Sequence, residues 1–200
     1  MQMEKDNTPS IKDVYRIAII GSDEDLISVD QREQIYSICE KLGQSLAKNN
    51  IIVFSGGDNG IGHQVVKSVY RAGGTTISIF PGREGDYPLD YVTIPIYTEM
   101  GYGMRDILML RSVEGVLAIG GGAGTLGELA NAYNLRRPIV AIDGLDGWST
   151  KITTPYLDNR KKVEISILSN WEDAVNTLKE KIDKRRKFFR KMHSFPKIKK

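Results

Sequence analysis

One arginine, one glutamate and a glycine-rich turn lie close together in the middle of this 200-residue chain. The turn spans residues 120–125 and reads GGGAGT, and its glycines let backbone N–H groups approach an anion closely. Arg105 precedes the turn and Glu128 follows it. Backbone donors, an arginine and a carboxylate suit a phosphate and an attached sugar. We therefore predict a nucleoside-phosphate site between Met104 and Glu128.

The glycine turn alone is open to more than one interpretation. Gly121, Gly122 and Gly124 would cradle a phosphate at the start of the next helix, whose dipole adds positive charge. A plain tight turn fits the same glycines. Residues 122–127 also spell GAGTLG, the dinucleotide fingerprint, with Asp143 available as the ribose-binding acid. Against this third interpretation, the fingerprint normally follows the first strand of its unit, whereas this copy follows several strands.

Thr125 and Glu128 also have two interpretations. Their T-x-x-E spacing is that of a capping box, in which both side chains satisfy free amides at a helix start. If the Glu128 carboxylate points into a cleft instead, it lies about one helical turn from the phosphate, within range of a bound sugar. Arg105 is predicted in the first turn of its helix, where the dipole disfavours a cation. We expect a compensating partner, which is Asp106, Glu128 or a bound phosphate.

The surrounding segments alternate between strand and helix. Short apolar runs indicate buried strands, and apolar residues at helical spacing indicate amphipathic helices. The predicted strands are residues 16–22, 51–57, 75–80, 91–95 (at an edge, because of Pro95), 115–119, 138–142 and 163–168. The predicted helices are residues 31–48, 61–72, 104–113, 125–136 and one that Asn170 caps and that runs from Trp171 into the tail, with a loop over residues 144–162. The alternation predicts a single-domain α/β fold, a Rossmann-like parallel sheet with helices on both faces.

Three strands of this sheet end in small residues. In such folds, ligands bind outside the carboxyl ends of the strands, where the strand order reverses. The three loops follow residues 20, 55 and 119, so they are expected on one edge of the sheet. The predicted substrate-binding and phosphate-binding residues are therefore Gly21, Ser22, Gly57, Gly121, Gly122, Gly124 and Thr125.

The composition excludes several other classes of protein. With 40% hydrophobic and 26% charged residues, and no apolar stretch near the ~18 residues of a membrane helix, the chain is typical of a soluble globular protein. The polar start MQMEKDNTPS does not look like a signal peptide, so we expect a cytoplasmic location. Cys39 is the only cysteine and His63 has no second ligand at metal spacing. We predict no metal and no cofactor.

Charge is distributed unevenly along the chain. The net charge is +3, yet the segment from Lys179 onward has eleven Lys and Arg against two acids, so the preceding residues sum to −6. We divide the chain into a flexible N-terminus (1–15), a Rossmann domain (16–178) and a basic helix or tail (179–200). The basic run is interpreted as a solvated segment, with binding of nucleic acid or another anionic surface as the alternative.

The central residues resemble those of the LOG-like (Lonely Guy) phosphoribohydrolases, in the superfamily shared with the Smf/DprA DNA-processing proteins. The resemblance extends over residues 16–142. In the cytokinin-activating branch, an arginine in M-H-x-R-K is followed fifteen residues later by P-G-G-x-G-T-x-x-E, and Arg105 and Gly120 keep this separation. Gly21-Ser22 and the Gly-Gly turn before Ile61 also match.

Three positions depart from that pattern. The motif lysine is Asp106, the motif proline is Gly120, and the methionine expected after the second glycine turn is Gly62. The stretch from Met100 to Glu128 is more similar to a less characterised bacterial and archaeal branch, which the molybdenum-cofactor carrier proteins also resemble.

The resemblance implies an enzyme that hydrolyses the N-glycosidic bond of a nucleoside 5′-monophosphate such as AMP, releasing the base and ribose 5-phosphate. It assigns catalytic roles to Arg105 and Glu128, since a carboxylate can stabilise positive charge on the ribose or activate water. It also implies a homodimer or higher homo-oligomer. The alternative is a carrier of the molybdenum cofactor or a nucleotide sensor, which needs the glycines but not the Arg105–Glu128 pair.

Overall fold

A sheet of seven parallel strands forms the centre of the molecule, with helices on both faces. The computed structural model describes residues 14–56 and 59–193. The strands are β1 (Tyr15–Gly21), β2 (Ile51–Ser55), β3 (Thr76–Phe80), β4 (Ile94–Tyr97), β5 (Gly115–Ile119), β6 (Ile139–Ile142) and β7 (Ile165–Leu168). The helices are α1 (Val29–Lys48), α2 (Gly60–Arg71), α3 (Gly101–Ser112), α4 (Ala123–Asn134), α5 (Trp148–Lys151) and α6 (Ala174–His193), with 3-10 turns at Glu24–Leu26 and Trp171–Asp173. The predicted Rossmann-like α/β fold is confirmed.

The strand order places the predicted ligand-binding crevice at the carboxyl ends of the central strands. The order is β4-β3-β2-β1-β5-β6-β7, so the chain first builds outward from β1 and then returns to build outward from β5. The loops that leave β1 and β5 at their carboxyl ends therefore turn to opposite faces and leave a crevice between them. The glycine-bearing loops follow β1, β2 and β5, which are neighbours in the sheet.

Both faces of the sheet are apolar, as a covered parallel sheet requires. On β1, Ile17 and Ile19 pack in a cluster with α1, α2 and α6, whereas Ala18 and Ile20 pack on the other face with α3 and α4. Ile182 of α6 is fully buried in the first of these clusters. The domain boundary predicted after residue 178 therefore lies inside the continuous helix α6. The first half of this helix belongs to the core.

Several boundaries differ from the predicted ones. Helix α3 begins at Gly101, three residues before Met104, so Arg105 lies in its second turn and not in its first. Strand β4 is at the edge as predicted but starts at Ile94. Before it, the Thr76 hydroxyl donates to the Tyr91 carbonyl at 2.8 Å, a side-chain contact that replaces the ladder there.

The predicted loop over residues 144–162 contains a short helix, α5. Its Ser149 hydroxyl donates to the Ile142 carbonyl at 2.6 Å and accepts the Gly120 N–H at 2.7 Å. Helix α5 therefore fixes the turn that follows β5. Asn170 caps its helical segment as predicted, because its side chain accepts the N–H of Glu172 at 2.9 Å.

Candidate functional site

A cavity of about 290 Å³ opens at the carboxyl ends of the central strands, beside the crevice between β1 and β5. This volume is at the lower end of the ~300–1,000 Å³ that small-molecule sites usually have. The structure brings six of the predicted site residues to its wall: Gly21, Ser22, Arg105, Gly124, Thr125 and Glu128. Gly57 lies outside the described residues, and Gly121 and Gly122 do not contribute to the wall.

The turn after β5 uses its own amides to hold its shape. The Gly121 N–H donates to the Ser22 hydroxyl at 2.7 Å, which ties the β5 loop to the β1 loop. Gly120 has a φ of +65° and Gly121 a φ of +104°. Proline cannot adopt a positive φ, so Gly120 gives this turn a shape that the proline of the related motif excludes. The Gly121 amide, expected to bind phosphate, is instead used within the protein.

The start of α4 has no capping side chain among the described residues. The helix begins at Ala123, and its N-cap is Gly122. Amides in the first turn of a helix have no intrahelical acceptor. Gly124 lies in this turn and lines the cavity, and a Cβ built on it would meet no atom within 4 Å. Open space therefore lies above the positive end of the helix dipole.

Thr125 and Glu128 do not form the capping box. Thr125 is the third residue of α4, and its hydroxyl donates to the Gly21 carbonyl at 3.0 Å. It therefore holds the helix start against the end of β1. Glu128 lies deeper in α4, where it is half-buried and lines the cavity. Of the two interpretations of the T-x-x-E pattern, the capping box is wrong because the helix starts too early for it.

Arg105 is a buried cation in the wall of this cavity. It is 8% exposed, and its Nε lies 3.1 Å from Oδ1 of Asp106. The geometry is not that of a hydrogen bond, so both of these buried atoms lack a hydrogen-bond partner in the described part of the chain. Its Cζ lies 5.5 Å from the centre of the Tyr102 ring. The expectation that Asp106 pairs with Arg105 is confirmed, but the pair is buried and not on the surface.

Gly56 makes room for the Arg105 guanidinium. A Cβ built on Gly56 would lie 1.2 Å from Arg105 Nη1, so any larger residue would displace the arginine. This contact joins the end of β2 to α3. The sequence marks Gly56 only as part of a glycine run, and no local pattern links it to a residue so distant along the chain.

The environment of Glu128 favours its neutral form. Burial, together with the nearby charges of Asp106 and Asp23, raises the pKa of Glu128 to about 8, although Arg105 opposes the change. The pKa of Asp106 is also raised by burial and is held down by Arg105. The cavity therefore pairs a carboxyl group that keeps its proton near neutral pH with a second carboxyl group that contacts an arginine.

Sequence reasoning did not assign Tyr102, Asn59 or Asp23 to the site, although all three line the cavity. A usable pattern existed for Tyr102, because it precedes Arg105 by three residues and so shares its helix face. Asp23 follows Ser22 directly after β1, at the predicted ligand edge. Asn59 could not be assigned, since it depends on the path of a loop.

Other residues considered from the sequence lie elsewhere. Asp143 accepts the N–H of Gly144 at 2.7 Å and does not line the cavity, so it cannot serve there as the ribose-binding acid. His63 packs edge-on against Tyr91, with 6.0 Å between ring centres. Cys39 is buried in α1, and burial raises the pKa of its thiol to about 12.

Residues 14–56 and 59–193 contain no candidate metal centre and no candidate membrane span. The acids, histidines and cysteine of these ranges form no group of three that could ligate a metal ion. None of the helices within the same ranges combines the length and the apolar character needed to cross a membrane.

Residues 14–175 match the family described as the SLOG cluster4 family, a range that includes both Arg105 and Glu128. The chain belongs to this family. Its fold is that of the Smf/DprA–LOG Rossmann-like superfamily. The resemblance found in the sequence is thereby confirmed.

Three similar proteins illustrate the range of this SLOG cluster4 protein's relatives. An uncharacterised protein of Archaeoglobus fulgidus is 29% identical over 144 residues, which are 68% of this chain and 89% of that protein. The crystal structure of TM1055 is 33% identical, with a TM-score of 0.76 over 83% of this chain and 99% of that one. A molybdenum-cofactor carrier protein from Chlamydomonas reinhardtii is 28% identical, with a TM-score of 0.70 over 85% of this chain and 98% of that one.

Proposed function

We propose that this protein hydrolyses the N-glycosidic bond of a nucleoside 5′-monophosphate, releasing the base and ribose 5-phosphate. One observation carries the proposal: a Glu128 carboxyl with a pKa of about 8 shares a cavity with the Arg105–Asp106 pair. Such a site can donate a proton and stabilise positive charge at the same time, and cleavage of a glycosidic bond needs both.

Glu128 is the proton donor in this proposal. A base leaves more easily once it is protonated, and a carboxyl group that keeps its proton near neutral pH can supply that proton. The sequence-based hypothesis gave Glu128 the role of a carboxylate that stabilises charge or activates water. Because burial and Asp106 raise the pKa of Glu128, we assign it the role of general acid instead.

Asp106 takes over the role of the charged carboxylate. Loss of the base leaves positive charge on the ribose, and an anionic oxygen nearby lowers the energy of that state. Arg105 favours the ionised form of Asp106 and orients it through the 3.1 Å contact. A site with an aspartate where the cytokinin-activating branch has lysine is thus suited to a cationic transition state.

The substrate phosphate would lie at the start of α4. Gly124 lies in its first turn, lines the cavity and has open space beside its Cα, and amides of a first helical turn have no intrahelical acceptor. This end of the helix attracts an anion, and the carboxyl groups of Asp106 and Glu128 line the same cavity. A nucleotide offers a partner to each of them, because its phosphate is negative and its sugar becomes positive during cleavage. The exposed Tyr102 ring beside Arg105 offers a surface on which the base can stack.

The assay is release of free base. Purified protein is incubated with AMP, GMP, CMP, UMP and IMP and the products are separated by chromatography. We expect base and ribose 5-phosphate from at least one nucleotide and none from the matching nucleosides, because the nucleosides lack the phosphate. Absence of base from every nucleotide would refute the proposal.

A second candidate function is binding of a phosphorylated pterin cofactor without turnover. The similarity to the Chlamydomonas reinhardtii molybdenum-cofactor carrier, 28% identical, favours it. The same helix start would hold the pterin phosphate, and Arg105 and Glu128 would then be binding residues. This function predicts stoichiometric retention of a phosphorylated pterin on purification, measured by pterin fluorescence, and no base release from any nucleotide.

We also propose that the protein works as a homo-oligomer. Met100, the N-cap of α3, is followed at four-residue spacing by Met104 and Leu108 of the helix, and all three are exposed. A second copy could cover this apolar stripe, which begins next to Tyr102 at the cavity. Light scattering of the purified protein tests this, and a monomeric mass at micromolar concentration would contradict it.

A further inference from the structure

A second concave surface lies at the opposite end of the sheet from the cavity. It is a groove of about 260 Å³ between the last turns of α6 and the segments that lead into β6 and β7. Five cations and one carboxylate line it: Arg136, Lys162, Lys181, Lys184, Arg185 and Glu164. We call this surface the basic groove. The proposed hydrolase does not use it.

Among residues 14–56 and 59–193, Glu164 and the charge of Glu114 supply negative charge to these cations. Glu164 lies 3.6 Å from Lys181 and accounts for the one carboxylate of the groove. The Lys162 amine donates to the neutral side chain of Asn134 at 2.7 Å, and Arg185 Nε donates to the Arg136 carbonyl at 3.0 Å. These contacts orient the cations but do not neutralise them.

More arginines lie just behind the groove. Burial, with the charges of Arg185, Arg16 and Arg111, lowers the pKa of Arg137 to about 10, although Glu114 opposes the change. Burial is the largest cause of this change, and the charges of the three arginines act in the same direction. An anion that enters the groove relieves the repulsion among these arginines.

Two phenylalanine side chains project beside the cations. Phe188 is 57% exposed and Phe189 is 37% exposed, and their ring centres are 5.7 Å apart in an edge-to-face arrangement. The Arg185 guanidinium lies 4.8 Å from the centre of the Phe189 ring. Exposure of the Phe188 ring at the rim of a groove is unfavourable in water, and a ligand that stacks on the ring would remove this cost.

We infer that the basic groove binds single-stranded nucleic acid. Cations along a groove follow a phosphate backbone, and exposed aromatic rings stack on unpaired bases. A duplex keeps its bases stacked on one another and cannot offer them to Phe188. A membrane surface is flat and takes up a broad apolar helix face, whereas this surface is concave and has two exposed aromatic residues.

The test uses the full chain and fluorescently labelled single-stranded dT20, with binding followed by anisotropy between 50 and 200 mM salt. Contact of all five cations with phosphates would weaken binding about a hundredfold over this range. Lys184→Glu should weaken binding and lower the slope of log affinity against log salt by about 0.7. Phe188→Ala should weaken binding at least about fivefold with the slope unchanged, because stacking is not ionic.

Lys41→Glu is the matched control, since Lys41 is exposed on α1 and lies outside the groove. It should bind dT20 like the wild-type protein. The inference fails if the wild-type protein does not bind dT20 at 50 mM salt, or if Lys41→Glu weakens binding as much as Lys184→Glu. It also fails if a duplex of the same length, or vesicles containing phosphatidylserine, bind as tightly and lose no affinity with Phe188→Ala.

Discussion

Among residues 14–56 and 59–193, three carboxyl groups share a cavity with one arginine at the carboxyl ends of β1 and β5. At the amino ends of β6 and β7, five cations of the same ranges share a groove with one carboxylate. Burial and the charges of Asp106 and Asp23 raise the pKa of Glu128 to about 8. In the groove, Arg136 and Lys184 are exposed, whereas burial lowers the pKa of Arg185. We therefore connect the carboxyl groups of the cavity with the proposed proton chemistry and the cations of the groove with the proposed anion binding.

Two arginine–carboxylate pairs differ in how fully their polar atoms are hydrogen-bonded. Arg186 binds Glu114 through two hydrogen bonds, of 2.8 and 2.6 Å. Burial would raise the pKa of Glu114, but Arg186 and the charge of Arg16 together lower it. Arg105 and Asp106 touch through one atom pair without hydrogen-bond geometry, and the pKa of Asp106 is raised. The first pair is satisfied by its own partner, whereas the second leaves polar atoms for a ligand.

Glu128→Gln is expected to have the largest effect of the variants, and this effect should be confined to the activity of the cavity. Glutamine cannot donate the acidic proton, so base release should fall about 10²–10⁴-fold. Affinity for dT20 should stay the same, because the basic groove is at the other end of the sheet. Glu33→Gln, an exposed acid on α1, is the control and should keep full activity in the same assay. Full activity of Glu128→Gln would leave Glu128 without a catalytic role.

Gly56→Ala tests whether the position of Arg105 matters. The new Cβ would coincide with Arg105 Nη1 and push the guanidinium away, and a shift of about 1 Å can cost about a hundredfold in rate. Gly103→Ala is matched to it, because Gly103 lies in the same helix as Arg105 and its Cβ would meet no atom within 4 Å. Steady-state rates of base release should separate the two variants. Equal rates would mean that the guanidinium position is not important.

Glu114→Gln removes the charge from the hydrogen-bonded Arg186–Glu114 pair and should lower the stability of the fold. It leaves Arg186 partly buried without its counter-charge, and we expect a loss of about 2–3 kcal/mol in the free energy of unfolding. Glu164→Gln removes the exposed partner of Lys181 and should cost less than about 1 kcal/mol. Urea denaturation measures both. Similar losses would contradict the distinction between a buried and an exposed pair.

Asp106→Asn removes the charged carboxylate of the proposed mechanism, so the rate of base release should fall. Its second effect, a shift of the pH profile, is the smallest one expected and the most specific. The negative charge of Asp106 helps to raise the pKa of Glu128, so its removal should lower that pKa. The value of kcat/KM for base release should fall above about pH 8 in the wild-type protein, because Glu128 then loses its proton. In the variant, the fall should begin at a lower pH. An unchanged pH profile would mean that Asp106 does not act on Glu128.

Patterns confined to short segments predicted much of the fold. The apolar run of β5 is found at residues 115–119 as predicted, and the helical periodicity around Cys39 corresponds to α1. The fifteen-residue separation of Arg105 from Gly120 indicated the related family. It is kept only if the helix that contains Arg105, the following loop and β5 keep their lengths. Such patterns depend on neighbours along the chain, so a sequence contains them in full.

The sequence alone therefore determined the alternation of strands and helices, and with it the edge of the sheet where Arg105 and Glu128 lie. The tertiary structure decided how these residues behave: the early start of α4 excluded the capping box, and Gly56 made room for Arg105. It also assembled the basic groove from three distant segments of the chain. Packing and desolvation depend on residues far apart in sequence, and no local pattern records which of them meet.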